Sequence, residues 1–228
     1  MATKSSTWVS RAAAVYRKDI LSEFRVRYAV NAIALFAVTT LVAVSFSIGA
    51  FGVTDRNLLS ALLWIILFFS AMSGLSRTFV REEEGRTGSA LRLAAEPVAV
   101  YLGKLTFNLT LLVALEIVVV PLFIVSMDVQ VKNPAFLLLV LAFGSIGLSA
   151  AATIVAAIVA KANAKGALFA VLSFPILAPL LALAIQGTSA AMKGSPLYAG
   201  APYVRALAAY AGVLITTSVM IFEFVWEE

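Results

Sequence analysis

The chain has 228 residues, 62% of them hydrophobic and only 13% charged, with a mean hydropathy of +1.00. A soluble domain carries about 45–50% apolar and about 25% charged residues, so lipid is the natural solvent for this much apolar surface. Cysteine and histidine are both absent, which excludes disulfides, thiolate metal sites and catalytic thiols and removes the commonest metal ligand, general base and haem axial ligand.

The first element expected is an amphipathic helix over Trp8–Tyr28. Arg11, Lys18, Ser22 and Arg25 line one face; Val9, Ala13, Tyr16, Ile20 and Phe24 line the other. Such a helix lies in the membrane surface with its cations toward anionic headgroups. Runs almost free of charge then mark six spans near Ala29–Ala50, Leu58–Leu75, Leu105–Met127, Pro134–Ala160, Gly166–Gln186 and Tyr203–Phe222. Each approaches the roughly 20 apolar residues that cross a bilayer as a helix. Barrel strands are excluded, because they alternate in short segments. The first run is too long and starts too late for the apolar part of a signal peptide, so it is expected to be retained. The fold class is all-α, a single polytopic domain over 1–228, with a surface segment at 1–28 and a bundle over 29–226.

Pro121, Pro175 and Pro179 fall inside spans, where each removes a backbone donor and is expected to bend its helix. Gly147 and Ala151 form a small-xxx-small pair suited to close helix packing. Glu116 is the one ionisable residue in mid-span. A charge there is costly, so it is expected to face the bundle interior or carry a proton. Asn108, Thr106 or a serine could meet it, and it is the default intramembrane functional candidate.

Thirteen of the lysines and arginines fall in the N-terminal segment and the loops after the second and fourth spans; four fall on the opposite side. The positive-inside rule puts the thirteen, and both termini, in the cytoplasm. That asymmetry accounts for the net charge of +5, and no nucleic-acid partner is expected, because the basic residues lack interleaved stacking aromatics.

The loop 77–104 is the most informative stretch. It holds the acidic cluster Glu82, Glu83 and Glu84, then Gly85-Arg-Thr-Gly88. A short helix from Ser89 to Ala95 follows, carrying Leu91 and Leu93 for apolar contacts and stopped before Pro97. Thr87 or Ser89 is placed to cap it. No GxxxxGK[ST] phosphate loop occurs, since Gly85-Arg-Thr-Gly88 is too short and lacks the lysine. No catalytic residues and no metal site are expected, and any ATP hydrolysis belongs to a partner.

Two stretches carry a family resemblance. Phe79-Val-Arg-Glu-Glu-Glu-Gly-Arg-Thr-Gly-Ser-Ala-Leu-Arg-Leu93, then Glu96-Pro97 and Tyr101-Leu-Gly-Lys104, resembles the first cytoplasmic loop of ABC-2-type permeases. Leu172-Ser-Phe-Pro-Ile-Leu-Ala-Pro-Leu-Leu181, with prolines four apart, is similar to the fifth span of the CcmB family, the haem exporter protein B of cytochrome c maturation. The resemblance implies a permease subunit in a bacterial inner membrane. It implies docking of a separate ABC ATPase subunit through Glu82, Glu83, Glu84, Gly88, Leu91, Leu93 and Pro97. Haem is then a possible cargo rather than a bound cofactor, with ATP on the partner subunit. Other cytochrome c maturation membrane proteins, membrane lipid and a second copy are the further partners implied. The competing reading is an ABC-2 exporter permease for a lipid, polysaccharide or drug, which shares the loop and would leave c-type cytochromes intact.

Overall fold

The computed structural model describes residues 7–49, 55–80, 82, 85, 87–160 and 165–227. Among these residues every regular element is a helix: α1 (Trp8–Val26), α2 (Tyr28–Gly49), α3 (Arg56–Leu75), α4 (Gly88–Ala94), α5 (Pro97–Ser126), α6 (Pro134–Ala160), α7 (Lys165–Lys193) and α8 (Leu197–Glu227). Six of them, α2, α3 and α5 to α8, are long and apolar enough to cross a membrane.

Three helices outrun the expected spans. α5 starts at Pro97 instead of near Leu105, α7 runs on to Lys193, and α8 starts at Leu197 and ends at Glu227. Charge-free runs measure only the hydrocarbon-compatible part of a helix. At 1.5 Å per residue, a helix of about 30 residues reaches well past a hydrocarbon core of about 30 Å. Pro97 occupies the first turn of α5, where a missing N–H costs nothing.

The long helices alternate in direction, so α1, α4 and the end of α8 gather at one end of the bundle. The α5–α6 and α7–α8 connections lie at the other. α6 is the central post, packed on α7, α8 and α5. Its Gly144 receives Trp64 of α3 so closely that a Cβ would stand 2.2 Å from the ring. The indole is fully buried and donates to the Thr188 hydroxyl at 2.9 Å. Ala151 is also fully buried, and the space above Gly147 is taken by Leu180 of α7, so the small-residue pair does serve close packing. Pro121, Pro175 and Pro179 lie on exposed faces, and α5 and α7 are continuous through them.

The faces of α1 differ from those expected. The stripe against the bundle is Val15, Asp19 and Glu23, flanked by half-buried Ala12, Tyr16 and Ile20, whereas Val9, Ala13 and Phe24 are exposed. Two carboxylates of an otherwise basic segment thus point inward. Glu23 accepts the Val30 backbone N–H at 3.1 Å, and Asp19 meets a lysine of α5 at 3.1 Å. Protein partners of opposite polarity outcompete water for these two acids and set the rotation of the helix. Arg27, in the left-handed region at φ 54, closes α1 with an N–H to the Glu23 carbonyl at 2.6 Å and starts α2 at once.

Candidate functional site

The stretch from Ser76 to Glu96 is clamped on two sides. On the α1 side lies a set of buried charges. Lys104, one residue before the long apolar run of α5, is 1% exposed. Its ammonium donates to the Thr78 carbonyl at 2.8 Å and to Glu82 Oε1 at 2.6 Å, and pairs with Asp19 Oδ2 at 3.1 Å. The ammonium thus hydrogen-bonds two oxygens of the loop and has a third oxygen, from α1, beside it as a counter-charge. Lys18 reaches the same Glu82 oxygen at 2.5 Å and Asp19 Oδ1 at 3.1 Å. These four charges sum to zero, so the half-exposed Lys18 completes the compensation of the buried Lys104, Asp19 and Glu82.

Burial alone would push the Glu82 carboxyl upward. The Lys104 and Lys18 ammoniums outweigh that and hold it below the ordinary value of 4.5. Burial likewise opposes the charge on Lys18, but Glu82 and Asp19 more than restore it, so its ammonium is held above 10.5. The cluster borders a cleft of about 280 Å³ that is also lined by Arg77 and Thr87. Gly103, beside the lysine, lets α1 lie directly on α5: a Cβ there would stand 2.7 Å from the Ala12 carbonyl oxygen.

A hydrogen-bonded thread leads inward from the cluster. Thr78 donates its hydroxyl to Asn108 Oδ1 at 2.8 Å, and Asn108 Nδ2 donates to the Thr153 hydroxyl of α6 at 2.8 Å. All three residues are buried. The loop is thereby tied to the central post as well as to α1.

On the α8 side the clamp is aromatic. Phe79 lies 5.6 Å from Phe222 and 6.0 Å from Trp226, ring centre to ring centre, and Phe222 stacks on Trp226 at 5.4 Å. Arg92 of α4 sits over the Trp226 ring at 5.4 Å, a cation–π contact worth about 0.5–1 kcal/mol at an exposed site. Leu91 packs against the core, while its neighbour Leu93 is 92% exposed.

The expected docking residues therefore separate. Leu93 stands outside; Leu91 is turned inward. Glu82 is 6% exposed and internally paired, so it forms part of the loop's foundation and not of an outer acidic face. Gly88 opens α4 with open space where a Cβ would be, and Pro97 is half-buried at the start of α5. Glu83 and Glu84 lie outside the described residues. Thr87 precedes α4 without a side-chain capping bond.

Asp19, Lys18 and Lys104 were not among the expected site residues. Two signals point to them in hindsight: acids four apart at 19 and 23 within a basic helix, and a lysine abutting an apolar run. Glu116 sits apart from the clamp, buried between α5 and α6, where the Ser145 hydroxyl donates to its Oε1. A serine is thus its partner; Asn108 is engaged in the thread, and Thr106 bonds the Leu102 carbonyl of its own helix.

Six helices long and apolar enough to cross a membrane, with α1 and the short α4 fastened at one end, make this a multi-pass membrane protein. A family model described as CcmB protein matches residues 10–225. The chain belongs to the CcmB family, and with that it is a membrane permease component of the haem exporter and cytochrome c maturation ABC system. No curated protein matches it.

Proposed function

We propose that this chain docks a separate ABC ATPase subunit through α4 and transmits the stroke of ATP hydrolysis into its bundle. The supporting observation is the placement of Leu93. It is an apolar side chain 92% exposed on a short helix whose other side is fixed to Trp226 and to the core. An apolar knob on a rigid base is the kind of anchor a partner's pocket accepts. Movement of α4 is carried to α1, α5 and α6 through the Lys104 cluster and the Thr78–Asn108–Thr153 thread.

In this reading the α4 end faces the cytoplasm, with both termini, in a bacterial inner membrane. The outward apolar residues of α1, Trp8, Val9, Leu21 and Phe24, rest in the headgroup layer. A second copy completes the usual twelve-span core, and the other maturation membrane proteins assemble around it. Haem is the cargo of the assembly and not a resident group.

Leu93→Asp tests this directly. The variant is expected to keep the wild-type unfolding midpoint, lose the ATPase on co-purification and lose haem-stained c-type cytochromes in cells. Leu91→Asp is expected to lower the unfolding midpoint as well. Retention of both the ATPase and the cytochromes by Leu93→Asp would overturn the docking assignment. If deletion of the gene left the stained cytochromes intact, the haem assignment itself would fall.

A further inference from the structure

The end of the bundle opposite α4 carries a second cleft, of about 290 Å³, whose polar lining is Asn57, Gln186, Ser189, Lys193, Ser195 and Tyr203. No carboxylate lines it among the described residues, whereas the cleft beside Lys104 contains three. A lysine at a helix C-terminus is ordinary on its own. The arrangement around it is more specific.

Asn57 Oδ1 accepts the Ser189 hydroxyl at 2.6 Å and the Lys193 ammonium at 3.1 Å. Two donors on one atom identify it as the oxygen, which fixes the amide. The Asn57 NH₂ group is left without a protein acceptor among the described residues, and the Gln186 amide and Tyr203 hydroxyl are likewise unengaged. Ser189, which holds Asn57 in place, is 2% exposed. The nearest acid in sequence, Asp55, is occupied in accepting the Asn57 backbone N–H at 2.8 Å.

The rim is equally fixed. Gly194, at φ +83, ends α7 with its N–H on the Ala191 carbonyl at 3.2 Å, and the Ser195 N–H meets the Ala190 carbonyl at 3.0 Å. Asn133 then donates to the Ser195 carbonyl at 3.0 Å. A side chain at 194 would be strained at that φ and would press on Lys132.

We propose that this cleft binds a phosphate oxyanion, held by the Lys193 ammonium, the Asn57 and Gln186 amides and the Tyr203 hydroxyl. The donors converge from the ends of α3, α7 and α8, at the level where spanning helices leave the hydrocarbon. A phospholipid headgroup is therefore the near source of the phosphate, and free phosphate the other. The cleft offers an ammonium, two amide NH₂ groups and a hydroxyl, with no carboxylate in its lining among the described residues, and an oxyanion is the ligand that accepts from all of them at once.

Native mass spectrometry of the full-length detergent-solubilised protein, titrated with phosphatidylglycerol, is the test. Lys193→Gln is expected to weaken retention about fivefold, the loss of one lysine's interaction near an anionic surface. Asn57→Ala should weaken it too, while Lys193→Arg stays near wild type and Arg205→Gln, an equal charge change on α8, has no effect. In parallel, millimolar inorganic phosphate is tested for shielding Lys193 from amine acylation. Shielding in the wild type but not in Asn57→Ala, with lipid retention unchanged throughout, supports the same site fed by free phosphate. Equal weakening by Lys193→Gln and Arg205→Gln, or no response in either arm, overturns the proposal.

Discussion

Removing the Lys104 ammonium would leave Asp19 and Glu82, two carboxylates less than a tenth exposed, with only the half-exposed Lys18 as counter-charge. Breaking a buried ion set in this way costs about 3–5 kcal/mol, so Lys104→Met is expected to lower the unfolding midpoint strongly. Lys18 has a side chain 45% exposed, and Lys18→Ala is expected to cost about 1 kcal/mol or less. A pair of thermal melts separates the two. The pH dependence follows from the directions of the shifts. Glu82 is depressed in the folded protein, so its contribution is present above 4.5 and lost as pH falls through the folded value. Lys18 is raised, so its contribution is complete below 10.5 and lost as pH rises through the folded value. Between those limits the contribution of these two groups is constant. Glu82→Gln should erase its share of the acid limb of a melting-point curve. Glu116 belongs to a different contact: Glu116→Gln retains an acceptor for Ser145 and is expected to leave c-type cytochromes at wild-type levels. Their loss would place the carboxyl in the mechanism.

At the scale of the element, the join between α1 and α5 depends on the missing side chain at 103. Gly103→Leu would drive carbon into the Ala12 carbonyl and Val15, backbone and packed side chain that have no room to yield. The expected result is release of α1 from the bundle, read as protease cleavage within Trp8–Val26 while the spans remain protected. The spans were legible in the sequence because hydrocarbon demands apolar length and little else. The orientation of α1 was not. Periodicity separated Val9, Ala13, Tyr16, Ile20 and Phe24 from the cations, but Asp19 and Glu23 belong to the buried side for a reason lying elsewhere, in Lys104 and the start of α2. The same limit applied to the loop. Its sequence marked a short helix with two leucines, yet only the position of Trp226 and the core decides which of them looks outward. Glu82 stood as one of three adjacent acids expected at the docking face, and its two lysine partners come from segments distant in the chain.

For the molecule as a whole, the helix directions divide the chain into two ends, and under the proposed function the α1 end is the one that faces the cytoplasm. The absence of cysteine makes this easy to check with single introduced thiols. Thr7→Cys should resist a membrane-impermeant maleimide in intact spheroplasts and react in inverted vesicles. Lys132→Cys, exposed at the other end, should show the reverse. Exchange of these two patterns would turn the molecule over and move α4 away from any cytoplasmic ATPase.

The contacts that fasten α1 also set an order of events during synthesis. Lys18 precedes Glu82 by 64 residues, and Tyr16 precedes its α5 neighbour Thr110 by 94. At about 5–20 residues per second, α1 leaves the ribosome several seconds before the loop and α5, on which it will rest. Throughout that interval Asp19 has no counter-ion from the bundle, and only the lipid surface is at hand to hold the helix. A helix made before the spans is thus among the last to find its place, and a nascent chain arrested before Lys104 would carry α1 without its seat on α5.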